Sequence, residues 1–267
     1  MRHHYNLRDD ALKFSDSSTI DLTIMARFYF TVTLQLILLF QLAAWGQLHT
    51  YLGFQIAVNK DQSRVQGDTG SYLNSNFSLL PNSGLWGIIL RRDIHSKLFV
   101  QTGITSKEFI QSISFKQANY FQTYSFYYLQ VPLGVGYKLR LNNRLSLVPQ
   151  PGITIGINIT PYTNKSGGAT NTVNGSKINF YERNIHPARF FILVNPSLAL
   201  EIKFFDSLLL SVFVGRSWGL TKVSQLDIDY TIDNSPTYSG SVVNNGSFFY
   251  KGASLKYPIS KFWKKHE

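Results

Sequence analysis

Residues 145–160 read LSLVPQPGITIGINIT and carry the clearest pattern in the chain. Starting at Leu145, every second residue is apolar, and the residues between them are mostly small or polar. Successive side chains of a strand point to opposite faces, so this segment predicts a β-strand with one apolar and one polar face. Residues 127–140 and 190–204 repeat the pattern.

The composition agrees with strands. The chain has 267 residues, of which 44% are hydrophobic and 15% aromatic, whereas only 15% are charged. Soluble domains contain roughly 25% charged residues. The absence of cysteine excludes disulfide scaffolds, cysteine-ligated zinc and thiol chemistry, and the apolar content argues against disorder. The composition therefore favours an all-β protein that is surrounded by either water or lipid.

Eight alternating segments occur along the chain. Their limits are 48–59, 84–91, 97–105, 122–140, 145–160, 189–204, 208–220 and 247–259. The connections between them alternate strictly between long and short, and the long ones (60–83, 106–121, 161–188, 221–246) are rich in Asn, Ser, Gly and Thr. This alternation predicts an eight-stranded antiparallel up-and-down transmembrane β-barrel with short periplasmic turns, four long extracellular loops that are solvated and mobile, and both termini in the periplasm.

A soluble lipocalin-like barrel is the alternative, with apolar residues inside and charged residues outside. A water-facing surface would carry Lys, Glu and Asp at alternate positions. The polar face here is instead Gly, Thr, Ser, Gln and Asn, which fits the narrow interior of an eight-stranded barrel. The pattern therefore favours a barrel whose apolar face contacts lipid.

The amino-terminal region indicates export. Residues 28–42 (FYFTVTLQLILLFQL) are too short for the roughly 20 residues of a membrane-spanning helix, follow Arg27 and precede small residues. We interpret 25–46 as a signal peptide cleaved before Gln47, with a permanent anchor as the alternative. Residues 1–24 are then a misassigned upstream extension, and 47–267 form the barrel domain.

The formal net charge of +11 belongs to the part after the signal peptide, since residues 1–46 contain four basic and four acidic residues. A strongly positive exported protein suggests anionic partners other than nucleic acid, namely outer-membrane lipid and lipopolysaccharide. Arg216 shares the parity of the lipid-facing residues near the outer rim and is a candidate for lipopolysaccharide contact. Alternatively, it is a rim charge that snorkels to water.

The inward parity contains an acid and several bases near the periplasmic end. Glu201 is the clearest acid within a strand. Lys138, Arg140, Lys203 and Lys256 share its polar parity and a similar depth. Because an unpaired buried carboxylate is costly, we expect Glu201 to be ionised and paired inside the barrel, with Lys138 or Lys256 as its partner. The alternative is that water reaches this rim and solvates the charges.

Catalytic and metal-binding patterns are weak. Residues 215–219 (GRSWG) match the G-x-S-x-G pattern, but they lie inside an alternating strand and not at a strand-to-helix turn, so the match indicates chance. Asp227, Asp229 and Asp233 give only a partial calcium-loop set. The histidines after the signal peptide are isolated. We therefore expect no catalytic residues, metal or cofactor.

Residues 128–139 (YLQVPLGVGYKL), with 99–103 (FVQTG), carry a family resemblance. This part resembles the outer-membrane protein β-barrel domain family of Bacteroidota, often labelled PorT-like, and the resemblance extends from Gln47 to about Trp263. It implies an eight-stranded outer-membrane barrel that is assembled by the barrel-insertion machinery and has no catalytic residues. The chain departs from the family by continuing past Trp263 with KKHE instead of ending on an aromatic residue.

These observations predict a small non-enzymatic outer-membrane barrel with a role in envelope structure, adhesion or accessory transport or secretion. Side chains should fill the interior of an eight-stranded barrel, so a general diffusion pore is not expected. The alternative is an outer-membrane lipid-modifying or proteolytic enzyme whose site lies in the long loops. Glu182 and His186 are the residues that would support it.

Overall fold

The computed structural model describes residues 49–75, 83–115, 118–159, 168–173, 176–204, 207–233 and 235–259. The predicted upstream extension 1–24 and signal peptide 25–46 lie outside the described residues. In the described ranges, no helix is long and apolar enough to cross a membrane.

The described chain consists of fifteen β-strands. They are β1 (Thr50–Gln66), β2 (Leu73–Asn74), β3 (Ser83–Asp93), β4 (Leu98–Phe115), β5 (Ala118–Tyr137), β6 (Leu139–Arg140), β7 (Leu145–Gln150), β8 (Gly152–Asn158), β9 (Gly168–Val173), β10 (Ser176–Pro187), β11 (Phe190–Val194), β12 (Ser197–Phe204), β13 (Leu208–Gly219), β14 (Ser224–Ile232) and β15 (Tyr238–Pro258). All their pairings are antiparallel. The predicted all-β, antiparallel class is therefore confirmed.

The pairings return to their starting point. The order β13–β11–β8–β5–β4–β3–β1–β15 is closed by pairing of β15 with β13, which gives a hydrogen-bonded ring of eight strands. Strands β12, β7 and β6 continue β11, β8 and β5 in unchanged register beyond short interruptions, two of which contain Pro196 and Pro151. The ring consequently has no free strand edge along its closed part.

The two faces of the ring differ in polarity. Along β1, Leu52, Phe54, Ile56 and Val58 point outward and are 45–54% exposed. The intervening positions of the same strand point inward and include Asn59, which is 1% exposed. Most other ring strands and the continuing strand β12 repeat this arrangement, with Trp86, Leu133, Ile153, Leu198, Val212 and Leu255 exposed on the outer face. The large apolar side chains of the ring therefore cover its outside.

Most of the described residues of the long connections form strands, so the prediction of loops is wrong for these parts. Strand β1 continues to Gln66, β4 and β5 stay paired as far as Phe115 and Ala118, and β10, β14 and the start of β15 fill much of 176–246. Together with β2 and β9, these strands form a second region, here called the lobe. It lies at the end of the ring opposite the short turns 94–97 and 141–144.

Alternation explains why the lobe folds. In β14 (SQLDIDYTI), Leu226, Ile228, Tyr230 and Ile232 are buried, whereas the residues between them are partly exposed. They pack against apolar residues of neighbouring strands, namely Leu73, Ile113, Phe115, Ile178, Phe180 and Val242. The lobe thus has an apolar core of its own.

Candidate functional site: the interior of the ring

A chain of ion pairs crosses the interior near the short-turn rim. Arg91 on β3 donates from Nη1 to Glu201 Oε1 on β12 at 2.6 Å, and its Nε lies 3.2 Å from Asp93 Oδ1. Lys138 Nζ contacts Asp93 Oδ2 at 2.6 Å, and Lys256 Nζ contacts Glu201 Oε1 at 3.1 Å. These five side chains, here called the ion-pair chain, link β3, β12, β15 and the end of β5 across the interior.

Neighbouring side chains make further contacts with the ion-pair chain. Ser211 accepts a hydrogen bond from Lys256 Nζ at 2.7 Å and donates one to Glu201 Oε1 at 3.0 Å. The Arg91 guanidinium lies 3.6 Å from the centre of the Phe99 ring, which is a favourable cation–π position. The ring of Phe99 occupies the space above Gly136, where an added Cβ would lie 2.0 Å from it. Glycine at 136 is therefore needed for this packing.

The structure places the predicted lumen residues differently from one another. Glu201 and Lys256 meet inside the ring, whereas Lys138 contacts Asp93 instead of Glu201. Arg140 and Lys203 are exposed at the rim, and no ion pair within the described ranges includes them. Arg91, whose Nη1 makes the shortest ion-pair contact with Glu201, was not among the predicted lumen residues.

A second charged pair lies at the lobe end of the ring. Lys107 Nζ contacts Asp61 Oδ1 at 2.8 Å, and both side chains are fully buried. Ser83 Oγ and the Glu108 carbonyl oxygen accept from the same ammonium group, each at 3.0 Å. Asp61 Oδ2 also accepts from the Ile110 backbone N–H at 2.8 Å. This pair has the hydrogen bonds that a buried ion pair requires.

Aromatic rings surround the Lys107 ammonium group and block the interior at this level. Its Nζ lies 4.2 Å from the centre of the Phe109 ring and 4.3 Å from that of Phe248. Phe109 packs edge-to-face against Tyr128 and Phe191 at centroid distances of 5.4 and 5.5 Å. We call Phe109, Tyr128, Phe191 and Phe248 the aromatic plug. They fill the cross-section of the ring where it joins the lobe.

A small polar chamber remains between the ion-pair chain and the aromatic plug. Its volume is about 100 Å³, and Gln101, Gln130, Gln150, Thr154 and Ser254 are among the side chains that line it. A water molecule occupies about 30 Å³ of liquid volume, so the chamber is of water-cluster size. The chamber is smaller than the roughly 300–1,000 Å³ of ordinary ligand pockets.

The residues of the weak catalytic patterns are engaged in structure. Ser217 of the G-x-S-x-G match is buried in β13 and donates to Asn195 Oδ1 at 2.7 Å. Asp227 accepts from Ser241 Oγ at 2.6 Å, and its Oδ2 lies 4.0 Å from His186 Nε2. Within the described residues, no three His, Asp or Glu side chains are grouped to hold a metal.

Arg216 lies on the outer face, as its parity predicts. Its guanidinium is 4.7 Å from the ring centre of Phe249 and 5.5 Å from that of Trp218. Two outward aromatic side chains thus hold the cation against the apolar surface.

Glu182 is a buried carboxylate of the lobe. Glu182 Oε1 accepts from Tyr124 O–H and, at 3.0 Å, from Gln122 Nε2. Burial raises the pKa of Glu182 above its ordinary value, and the Gln122 hydrogen bond offsets part of this effect.

The sequence matches no protein-family model and is similar to no curated protein. The membership in the PorT-like family of Bacteroidota stays a prediction. Among solved structures, the chain is similar to outer-membrane β-barrel proteins. It is 8% identical to the outer-membrane protein OprG from Pseudomonas aeruginosa, with a TM-score of 0.45 over 79% of this chain and 96% of that one.

Two further solved structures are similar. The attachment invasion locus protein Ail from Yersinia pestis is 14% identical, with a TM-score of 0.34 over 79% of this chain and 100% of that one. A major outer-membrane protein from Thermus thermophilus is 9% identical, with a TM-score of 0.38 over 79% of this chain and 100% of that one.

Proposed function

We propose that this chain is a small, non-enzymatic, eight-stranded up-and-down β-barrel protein of the bacterial outer membrane. The observation that carries the proposal is the polarity of the ring, which exposes large apolar side chains outward and buries charged and polar ones inside. A ring in water would have the reverse arrangement. In lipid, a closed ring is also the way in which a sheet can pair all its backbone groups.

The outer apolar surface extends over several adjacent ring strands. Trp86 and Ile88 on β3 and Val212 and Val214 on β13 are 53–59% exposed, and β1 and β15 between these strands expose Leu52, Phe54, Ile56 and Leu255. Monomeric soluble proteins rarely expose apolar patches above a few hundred square ångströms. Lipid contact accounts for a surface of this kind, and the outer membrane is where β-barrels of this size occur.

The interior supports a closed barrel and not a diffusion pore. The ion-pair chain crosses it at one end, and the aromatic plug fills it at the other. A solute would have to displace a buried Arg91–Glu201 pair as well as four packed rings. We therefore propose a role in envelope structure, adhesion or accessory transport or secretion, exercised by the lobe.

The difference between the two rims supports an orientation in the membrane. Short turns such as 141–144 face the periplasm in barrels of this kind, and longer segments face outward. We accordingly assign both termini to the periplasm and the lobe to the cell exterior. Its partners would be outer-membrane lipid, lipopolysaccharide and the barrel-insertion machinery, with no nucleic acid and no cofactor.

Quenching of tryptophan fluorescence by brominated acyl chains tests the membrane assignment. Trp86 is exposed on the outer face of the ring and should be quenched when the protein is folded into vesicles of brominated phosphatidylcholine. Trp45, Trp218 and Trp263 are replaced by Phe so that only Trp86 reports. The matched control adds Trp86→Phe and places a single Trp at exposed Lys177 in the lobe, which should not be quenched.

Folding and topology are read in parallel. Heat-modifiable gel migration should accompany quenching. Recovery of the protein from the soluble periplasmic fraction, without lipid or detergent, would contradict the proposal. Protease added to intact cells should cut only in the lobe segments 60–83, 161–188 or 221–246. Cleavage at 141–144 would show that the protein has the opposite orientation in the membrane.

A further inference from the structure

Three cations surround one outward aromatic residue where the ring joins the lobe. Phe249 on β15 pairs with Arg216 on β13 on one side and with Lys60 on β1 on the other. Lys251 follows two residues along β15 and therefore points to the same outer face. Asn59 and Asp61, which flank Lys60, point inward, so Lys60 itself points outward. The cationic side chains thus come from three adjacent strands.

The charges of these side chains are not neutralised by the described part of the protein. No ion pair within the described ranges includes Lys60, Arg216 or Lys251. Arg216 is held against Phe249 and Trp218, and its buried Nε has no hydrogen-bond acceptor. A guanidinium that is fixed in position and lacks an anion is prepared to bind one from outside, because its planar set of donors matches phosphate.

The height of the cluster corresponds to a membrane boundary. Tyr257 lies on the same outer face of β15 near the short-turn rim, eight residues after Phe249. Eight residues extend about 26 Å along a strand, and a strand tilt of about 40° reduces this to about 20 Å along the barrel axis. The apolar band of outer-membrane barrels is about 25 Å tall, so Lys60 and Arg216 lie near its boundary on the lobe side. Lys251 lies two residues, or about 5 Å along the axis, below them, from where its long side chain can extend to the headgroups.

The positive charge is local to this side of the ring. On the outer face of β4 and β5, the corresponding level carries an acid, Glu108, whose Oε1 accepts from Tyr127 O–H at 3.2 Å. A general excess of surface cations would not distinguish the two sides. The cluster on β13, β15 and β1 is therefore a specific feature of the barrel surface.

We propose that Lys60, Arg216 and Lys251 form a site for the phosphate groups of a lipopolysaccharide molecule in the outer leaflet. This inference rests on the proposed function, since it needs the ring in a membrane with the lobe outside. Two strand spacings of about 4.8 Å separate Lys60 from Arg216. A headgroup with two phosphates, such as that of lipid A, can contact cations so spaced, and its acyl chains lie along the apolar face below them.

Lipid retention measured by native mass spectrometry tests the site. The folded protein in detergent is titrated with diphosphorylated lipid A, and Lys60→Gln, Arg216→Gln and Lys251→Gln are combined in one variant. We expect at least tenfold weaker retention by this variant. The matched control removes the same charge elsewhere through Lys97→Gln, Arg144→Gln and Lys177→Gln and should bind like the wild type. Equal loss in both variants would show non-specific attraction and overturn the site.

Binding measurements with two other phosphate compounds identify the source of the phosphate. Phosphatidylglycerol that binds as tightly as lipid A, or inorganic phosphate that displaces lipid A at millimolar concentration, would overturn the assignment to lipopolysaccharide. Single Arg216→Gln should already weaken binding, which keeps the test valid if the triple variant does not fold. A wild type that shows tryptophan quenching in vesicles but no lipid A preference would overturn this inference alone. A wild type without quenching would overturn the proposed function as well.

Discussion

The ring and the lobe share strands but differ in the polarity of their inward-facing side chains. On β15, Val242 points into the lobe and is fully buried in an apolar core, whereas Ser254 and Lys256 of the same parity point into the ring and belong to its polar interior. On β4, Ile113 and Lys107 show the same change. The proposed location explains this difference, because water around the lobe would favour an apolar inside, and lipid around the ring would favour an apolar outside.

The buried pair at the boundary between the two regions should have the largest effect. Lys107→Met leaves Asp61 charged and buried without its cation, and breaking a buried pair in this way costs about 3–5 kcal/mol. We expect the urea midpoint of the barrel in detergent to fall accordingly, measured by loss of heat-modifiable migration. Lys97→Met in an exposed turn is the control and should stay within about 0.5 kcal/mol. An unchanged midpoint for Lys107→Met would contradict the assigned role of the pair.

A core change in the lobe should separate the two regions. Ile228→Ala removes apolar atoms from a fully buried position and should destabilise the lobe by about 3 kcal/mol. We expect faster proteolysis within 221–246 while the ring keeps its heat-modifiable migration. Ile56→Ala, on the outer face of the ring, should leave lobe proteolysis unchanged. If Ile228→Ala unfolds ring and lobe together, the two regions form one cooperative unit.

The ion-pair chain should show a smaller effect, because its charges have several partners. Glu201→Gln removes the anion that contacts Arg91 and Lys256 and should cost about 2 kcal/mol. Adding Lys256→Met should recover part of this loss, since it removes one of the uncompensated cations. Both are measured as urea midpoints, with exposed Lys203→Met as the control. Wild-type midpoints for both variants would mean that the ion-pair chain does not stabilise the barrel.

The smallest expected effect is a pH dependence confined to the lobe. The raised pKa of Glu182 means that the folded lobe binds a proton more tightly than the unfolded chain does. The contribution of this group to stability therefore increases as the pH falls through the raised pKa toward the ordinary carboxyl value of about 4.3 and is constant below it. Lobe proteolysis should slow over this window in the wild type. Glu182→Gln should abolish the change, and a slope that persists would assign it to another group.

The strand positions of the ring could be predicted because alternation is strong there. All eight predicted segments coincide with strand in the described structure, and the apolar parity of 145–160 is the one that points outward. The predicted limits were too short for β1, β4, β5 and β15, because their polar continuations resemble loops in composition. Only the period of two in 224–232, where Leu226 and Ile228 alternate with Asp227 and Asp229, could have revealed the lobe.

The site residues were harder to predict for a related reason. Both parities of 84–91 are apolar, so the inward position of Arg91 could not be inferred from that strand alone, although Gly87 and Ile89 share its parity. Lys107 and Asp61 lay in segments taken for loops, where a charge requires no partner. Glu201 and Lys256 were identified because each is a charged residue on the polar parity of an alternating strand. Which bases meet which acids depends on the ring register, and sequence alone does not provide it.

The closure of the ring has a consequence for how the protein is made. Strand β15 pairs with β1, β13 and β14, and the pair Tyr51–Pro258 joins residues from opposite ends of the described chain. Contacts so distant in sequence slow folding, because a long loop must close before they contribute. Until β15 has paired, both β1 and β13 present open edges that can recruit other chains. The unassembled protein therefore needs protection from aggregation until its final strand is in place, and truncation before β15 should yield aggregates instead of a smaller ring.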